Sequence, residues 1–228
     1  MGFGPTDKVL NNQEVAVEAH AIDYRKFKIQ SFAVDGFLFV GNQLALDFIN
    51  TRPLIDGEFT EFLPDLTALL RWFTAAGLIK SRDQARLAKK WQNDSSANRF
   101  LKELREFRET LRADVIALES GRPVRRSTLR ELDRLLAEHP MHKRIDADKL
   151  STEVWFPMDT PDDLFAPLAQ AAAELFTEAD RTRIRQCGAC VLHFLDTSKK
   201  GTRHWCSMNL CGNRSKVAAY AERKRLAH

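Results

Sequence analysis

The sequence predicts a mainly α protein with short β elements: a helical body followed by a small C-terminal finger made of a β-hairpin and a helix. Three observations carry that expectation. Apolar residues recur at helical spacing through the first 180 positions, as in Leu66, Leu69, Leu70 and Phe73. All four cysteines, Cys187, Cys190, Cys206 and Cys211, fall in one window. Charge is divided: 181–228 holds eleven Lys/Arg against two Asp/Glu, a net +9, whereas 1–180 is net −5. The expected organisation is an N-terminal extension over 1–35, a helical body over 36–180 and the finger over 181–228.

Residues 1–35 are polar and poorly periodic, which reads as an extension. The run GFLFV, punctuated by Gly36 and Gly41, reads as a buried strand. NQLALDFINT reads as a short helix with Asn42 as N-cap. The Leu66–Phe73 stripe is a second helix that Gly77 stops. Ser81 with Gln84 has the form of a capping box opening SRDQARLAKKWQN. From Ala97 a longer helix carries Leu101, Leu104, Phe107, Leu111, Val115 and Leu118 on one side, and the Gly121–Pro123 turn ends it. Thr128 with Glu131 suggests another capping box, and Pro140 closes that helix. TEVWFPM reads as a strand; Asp162 or Asp163 then caps LFAPLAQAAAELFTEA, whose small residues suit close packing.

Composition bounds the classes. At 228 residues and 44% hydrophobic, the chain can bury a real core as one large domain or two smaller ones. No run approaches about 18 uncharged apolar residues, so no membrane span is expected. The N-terminus lacks a basic start followed by an apolar run, so no secretory signal is expected either. MGFGPT formally meets the myristoylation pattern, which short matches meet by chance. The default is a cytoplasmic protein with reduced thiols. An acidic body with a basic end suggests a polyanionic partner; the alternative is a solvated charged end.

The cysteine spacing is Cys187-x2-Cys190-x15-Cys206-x4-Cys211. One tight turn aims the first two sulfurs at a point, and a second pair beyond the excursion completes a tetrahedron, the arrangement of a structural zinc site. A redox dithiol would leave the second pair idle, and common iron–sulfur motifs crowd three cysteines within a few residues. One structural Zn²⁺ is therefore expected. With four thiolates available, His193 and His204 are read as a hairpin residue and a phosphate or stacking contact. A closed site has no open coordination position, so no metal catalysis is expected. The excursion Val191–Trp205 reads as a β-hairpin with its polar tip at 197–202, and GNRSKVAAYAERKR reads as the following helix, a treble-clef-like order.

On a helical wheel, Val217, Tyr220 and Ala221 form the packed side. Arg214 and Arg225 make one cationic row, Lys216 and Arg223 a second, with Ser215, Ala218, Ala219 and Glu222 between them. Small residues flanked by cations suit a groove with a phosphate wall on each side, and Lys199, Lys200 and Arg203 could add contacts. The partner expected is double-stranded DNA. The plain alternative is an exposed, solvated helix.

RHWCSMNLCGNRSK at 203–216, with FLDTSKKGTR ahead of it, closely resembles the CGNR zinc finger, in which Cys211-Gly212-Asn213-Arg214 supply the name. LALDFINT at 44–51 and the helix containing Trp72 resemble the ABATE domain that precedes that finger. The resemblance spans about residues 36–225 and implies a bacterial, stress-induced transcription regulator. Carried onto this chain, Asp47, Asn50 and Thr51 share one helical face beside Leu44, Phe48 and Trp72. They could line the pocket of a small-molecule effector, or satisfy buried backbone groups near the NTRP turn. No catalytic motif is visible, so no enzyme is expected; an enzyme working from the Asp47 face would need a base within hydrogen-bond reach. A homodimer is expected if one small finger is to bind a specific site. The runner-up is a protein–protein module stapled by zinc.

Overall fold

The computed structural model describes residues 33–55, 58–148 and 150–226. The expected extension lies outside the described residues up to position 32, as does the MGFGPT pattern; Ala33–Val34 already form strand β1. Asp35 and Gly36, both with positive φ, turn β1 onto β2 (Phe37–Leu38) in a two-residue hairpin. The expected buried strand is thus a short hairpin arm followed by extended chain.

Helix α1 (Leu44–Ile49) is capped by Gln43, whose Oε1 accepts from the amides of Ala45 (2.6 Å) and Leu46 (3.2 Å). Asn42 is not the cap: at φ 55° it turns the chain and donates from Nδ2 to the Leu195 carbonyl. A small hairpin, β3 (Leu54–Ile55) and β4 (Glu58–Phe59), follows. Asp65 caps α2 (Leu66–Ala75), and Gly77 at φ 72° ends it as expected.

Helix α3 (Ser81–Trp91) starts one residue earlier than its proposed box requires. Lys80 occupies the cap, so Ser81 is already helical and no side chain caps the end. Helix α4 (Ser95–Glu119) is capped by Asp94 and buries the predicted stripe from Leu101 to Val115. Helix α5 (Arg126–Glu138) also lacks a side-chain cap. Thr128 is instead buried, its hydroxyl donating to Asp114 (2.6 Å), a carboxylate that also holds the Arg125 guanidinium.

The predicted strand is β6 (Ser151–Trp155). Its partner β5 (His142–Asp146) was not anticipated, because HKRID reads as solvated. Thr160, rather than Asp162 or Asp163, caps the next helical segment; Asp163 completes the box by accepting from the Thr160 amide. Helix α6 (Phe165–Thr177) then lays its alanines against α1 and α5. The body core centres on Trp72, with Phe39, Phe48 and Phe73 at ring distances of 6.0, 5.8 and 5.5 Å. Arg108 is buried in this core and anchored by Glu61 and by the Thr51 hydroxyl. Among the described residues, no helix is long and apolar enough to cross a membrane.

Candidate metal centre and nucleic-acid interface

Strand β7 (Ile184–Gln186) pairs antiparallel with β8 (His193–Leu195), and the turn between them carries Cys187 and Cys190. The hairpin therefore lies one strand earlier than expected. Val191–Trp205 does not fold back on itself; it contributes β8, whose partner is the segment before the first cysteine. The Cys187 amide donates to Leu192 (2.9 Å) and the Gly188 amide to His204 (3.0 Å), which folds the knuckle over the second half of the finger.

Asp196 organises the return. Its buried carboxylate accepts from the amides of Ser198 (2.9 Å) and Arg203 (2.8 Å). Those bonds and the Arg185 guanidinium lower its pKa, although burial opposes them. Arg183 donates to the carbonyls of Asp196 and Ser198, and Arg185 to that of Gly201. Ser207 then opens a short π-helical turn, Met208–Gly212, which presents Cys211 and continues into α7 (Asn213–Leu226).

These turns bring the four sulfurs together. All lie within 4.8 Å of one another, with Cys190–Cys206 and Cys206–Cys211 at 3.7 Å and Cys190–Cys211 at 3.6 Å. A tetrahedron of thiolates around Zn²⁺ has edges of about 3.8 Å, given bonds of about 2.3 Å. Without a cation, hydrogen bonds from Cys190 and Cys206 pull the Cys187 thiol down, and Cys187 in turn pushes Cys190 up to about 12 and raises Cys206 as well, so the sulfurs do not ionise together. Four sulfurs this close share negative charge only around a cation. The donor set fits one structural zinc ion.

The finger rests on the body through α1. Asn50 Nδ2 donates to the His193 carbonyl (2.8 Å), and its Oδ1 accepts from the His193 amide (2.9 Å). The Leu195 amide donates to Gly41 (2.8 Å), and Val40 enters the apolar cluster around Cys187, Phe194 and Cys206. A Cβ on Gly41 would stand 2.8 Å from both the Asp47 amide and Leu46 Cβ, so only glycine allows this approach. His193 is buried, with Nδ1 2.9 Å from Glu119.

Asp47, Asn50 and Thr51 all lie buried on α1 or just after it. Thr51 donates to the Phe48 carbonyl (2.7 Å) and accepts from Arg108 (2.9 Å). Asp47 Oδ1 accepts from the Gly41 amide (2.7 Å), while Oδ2 is buried without a hydrogen-bond partner. Asn50, and Asp47 through Gly41, thus hold the chain that meets the finger, while Thr51 ties α1 to Arg108. Burial pushes the Asp47 carboxyl up to about 8, against the opposing amides of Gly41 and Val40.

A pH prediction follows from Asp47. Its native pKa lies above its unfolded one, so the native state keeps a proton that the unfolded chain releases above about pH 4. Stability contributed at low pH is lost as pH rises towards 8. Between pH 6 and 8 the fall should be about 2 kcal/mol. Asp47→Asn should flatten it, measured by urea unfolding of the zinc-loaded protein at both pH values. An equal fall in the variant would contradict the assignment.

Among the candidate nucleic-acid contacts, Lys199, Lys200, Lys216, Arg223 and Arg225 are exposed. So is Lys224, which the wheel overlooked. Arg203 differs: its guanidinium donates to the carbonyls of Trp205 and Cys206 and lies 4.7 Å from the Phe194 ring, a strut beneath the cysteines. The side chains of Arg214, Ser215, Ala218, Ala219, Ala221 and Glu222 lie outside the described residues. The packed side expected on α7 faces solvent at Val217 and Tyr220. Val217 and Tyr220 are 67% and 64% exposed, because the helix runs on from its own turn rather than across a core.

Residues 42–179 match the ABATE family model, described as "Putative stress-induced transcription regulator". Residues 183–224 match that of the CGNR zinc finger. No curated protein matches the chain. The chain belongs to the ABATE family and ends in a CGNR zinc finger that holds one structural zinc ion through Cys187, Cys190, Cys206 and Cys211.

Proposed function

We propose that the protein is a transcription regulator that binds double-stranded DNA through its finger, while its body responds to a small-molecule effector. The observation that carries the DNA reading is the cationic surface around the zinc site. Lys199 and Lys200 stand at the tip of the turn, and Lys216, Arg223 and Lys224 along α7, all exposed. Long flexible cations on a rigid support are suited to phosphate oxygens. In this reading the protein is not an enzyme, works in the cytoplasm, and pairs with a second copy to reach site-specific affinity.

Duplex binding measured by fluorescence anisotropy against salt tests it. Lys216→Ala and Arg223→Ala should each weaken binding and reduce the slope of log K against log salt by about one. Arg203→Ala should instead release zinc, since its guanidinium supports the Cys206 carbonyl. Binding that ignores salt, or slopes unchanged in both α7 variants, would exclude the phosphate role.

A specific observation favours the second reading, a protein–protein module. Met208, Leu210, Val217 and Tyr220 leave apolar surface exposed on the last turn and helix. In that case Val217→Asp with Tyr220→Ser would abolish capture of a protein partner, and duplex binding would be absent in the wild type.

A further inference from the structure

The seam between body and finger contains an open cleft of about 390 Å³. One wall is the end of α4, with Ile116 and Glu119; the floor is β7, with Arg185 and Gln186; the other wall is the finger, with Arg203 and His204. Its volume falls at the small end of the range of ligand sites, about 300–1,000 Å³. Neither unit forms this cleft alone.

Its chemistry is unusual for a seam. Arg185 and Arg203 line it, and both guanidiniums are held in place by the finger itself. Arg203 is anchored on the carbonyls of Trp205 and Cys206 and against the Phe194 ring. Arg185 is held by the Gly201 carbonyl (2.8 Å), with Asp196 Oδ2 3.8 Å from its Nε. That Nε is buried against Asp196, while the side chain as a whole is 40% exposed. Glu119 is committed to His193 on the opposite wall, and Ile116, 41% exposed, offers an apolar surface. Pre-positioned guanidiniums beside an apolar surface recognise a small organic oxyanion.

We propose that this cleft binds a small organic anion, a carboxylate or phosphate ester, whose oxyanion meets Arg185 and Arg203 and whose apolar part covers Ile116. This inference rests on the reading that the protein responds to an effector, and it moves the effector from the α1 face to the seam. An anion bound there touches α4 and the finger at once. It would therefore tighten the docking of the zinc-bound unit on the body, the coupling that a regulator requires.

The test uses the full zinc-loaded chain, first without DNA and then with a short duplex added as competitor. Succinate and inorganic phosphate are titrated separately, followed by ¹⁵N NMR including the arginine side-chain resonances. Saturable shifts confined to Glu119, Arg185, Gln186, Arg203 and His204 are expected, and the probe that binds tighter gives the class of oxyanion. Arg185→Gln should weaken binding at least tenfold. Ile116→Trp, which fills the cleft and leaves both guanidiniums in place, should do the same while zinc stays at one per chain. Shifts centred on α1 would preserve the effector reading and overturn this site. No saturable shift with either probe, or undiminished binding in Ile116→Trp, would also overturn it. So would a short duplex that displaces phosphate from Arg185, since the cleft would then seat the DNA backbone.

Discussion

Replacing Cys206 with serine is expected to release the zinc and unfold the finger while the body remains folded. Cys206 is fully buried, and its sulfur lies 3.7 Å from those of both Cys190 and Cys211. A serine hydroxyl is a harder and shorter donor that cannot replace a thiolate here. Around the cysteines the buried apolar cluster adds little beyond Val40, Leu192 and Phe194, too few to hold the segment without metal. Structural zinc in small fingers contributes about 10–16 kcal/mol of apparent binding free energy, which is also folding free energy. The body keeps its own core around Trp72, separate from that cluster. Metal analysis should fall from one zinc per chain to none, and amide resonances of 187–226 should collapse to unfolded positions. Retention of both zinc and dispersion would contradict the assignment.

Asn50→Ala is expected to cost about 2–4 kcal/mol and to loosen the finger without releasing its metal. The amide of Asn50 satisfies both backbone groups of His193, donating at 2.8 Å and accepting at 2.9 Å, in a buried position. Truncation leaves an N–H and a C=O without partners where water enters poorly. Asn50→Asp keeps the acceptor but sets a carboxylate oxygen against the His193 carbonyl, so it should not rescue. Urea unfolding reads the cost. Hydrogen exchange at the β8 amides of His193 and Leu195 reads the loosening, which a loss confined to the body would not produce.

What the sequence revealed depended on the kind of signal. The stripe from Leu101 to Val115 predicted α4 because a 3.6-residue period reflects burial directly. The four cysteines were legible for a chemical reason: a metal fixes ligand type and number, and those survive without coordinates. Helix starts were less legible. Asn42, Ser81 and Thr128 each had cap chemistry, yet Gln43, Lys80 and Arg125 occupy the caps, since tertiary bonds to Leu195 and Asp114 claimed two of the three side chains. The finger's hairpin was misassigned because β8 had two candidate partners, and the true one, Ile184–Gln186, has only three residues.

The α7 wheel failed for a different reason. It assumed a core beneath Val217 and Tyr220, and periodicity alone cannot say whether a face meets protein or solvent. The seam was invisible for want of proximity: Asn50 and His193 are 143 positions apart. Asp196 was within reach, because an aspartate two residues before Ser198 has the form of an Asx turn.

In the proposed function, one zinc ion makes the last quarter of the chain a rigid cationic surface for DNA. Duplex affinity measured against salt, with zinc-loaded and chelated protein side by side, tests it most directly. Tight binding by the loaded form is expected, with a log–log slope of about −4 to −5 from five exposed cations, and none after chelation. Equal binding by the two forms, or no binding by the loaded one at low salt, would contradict it.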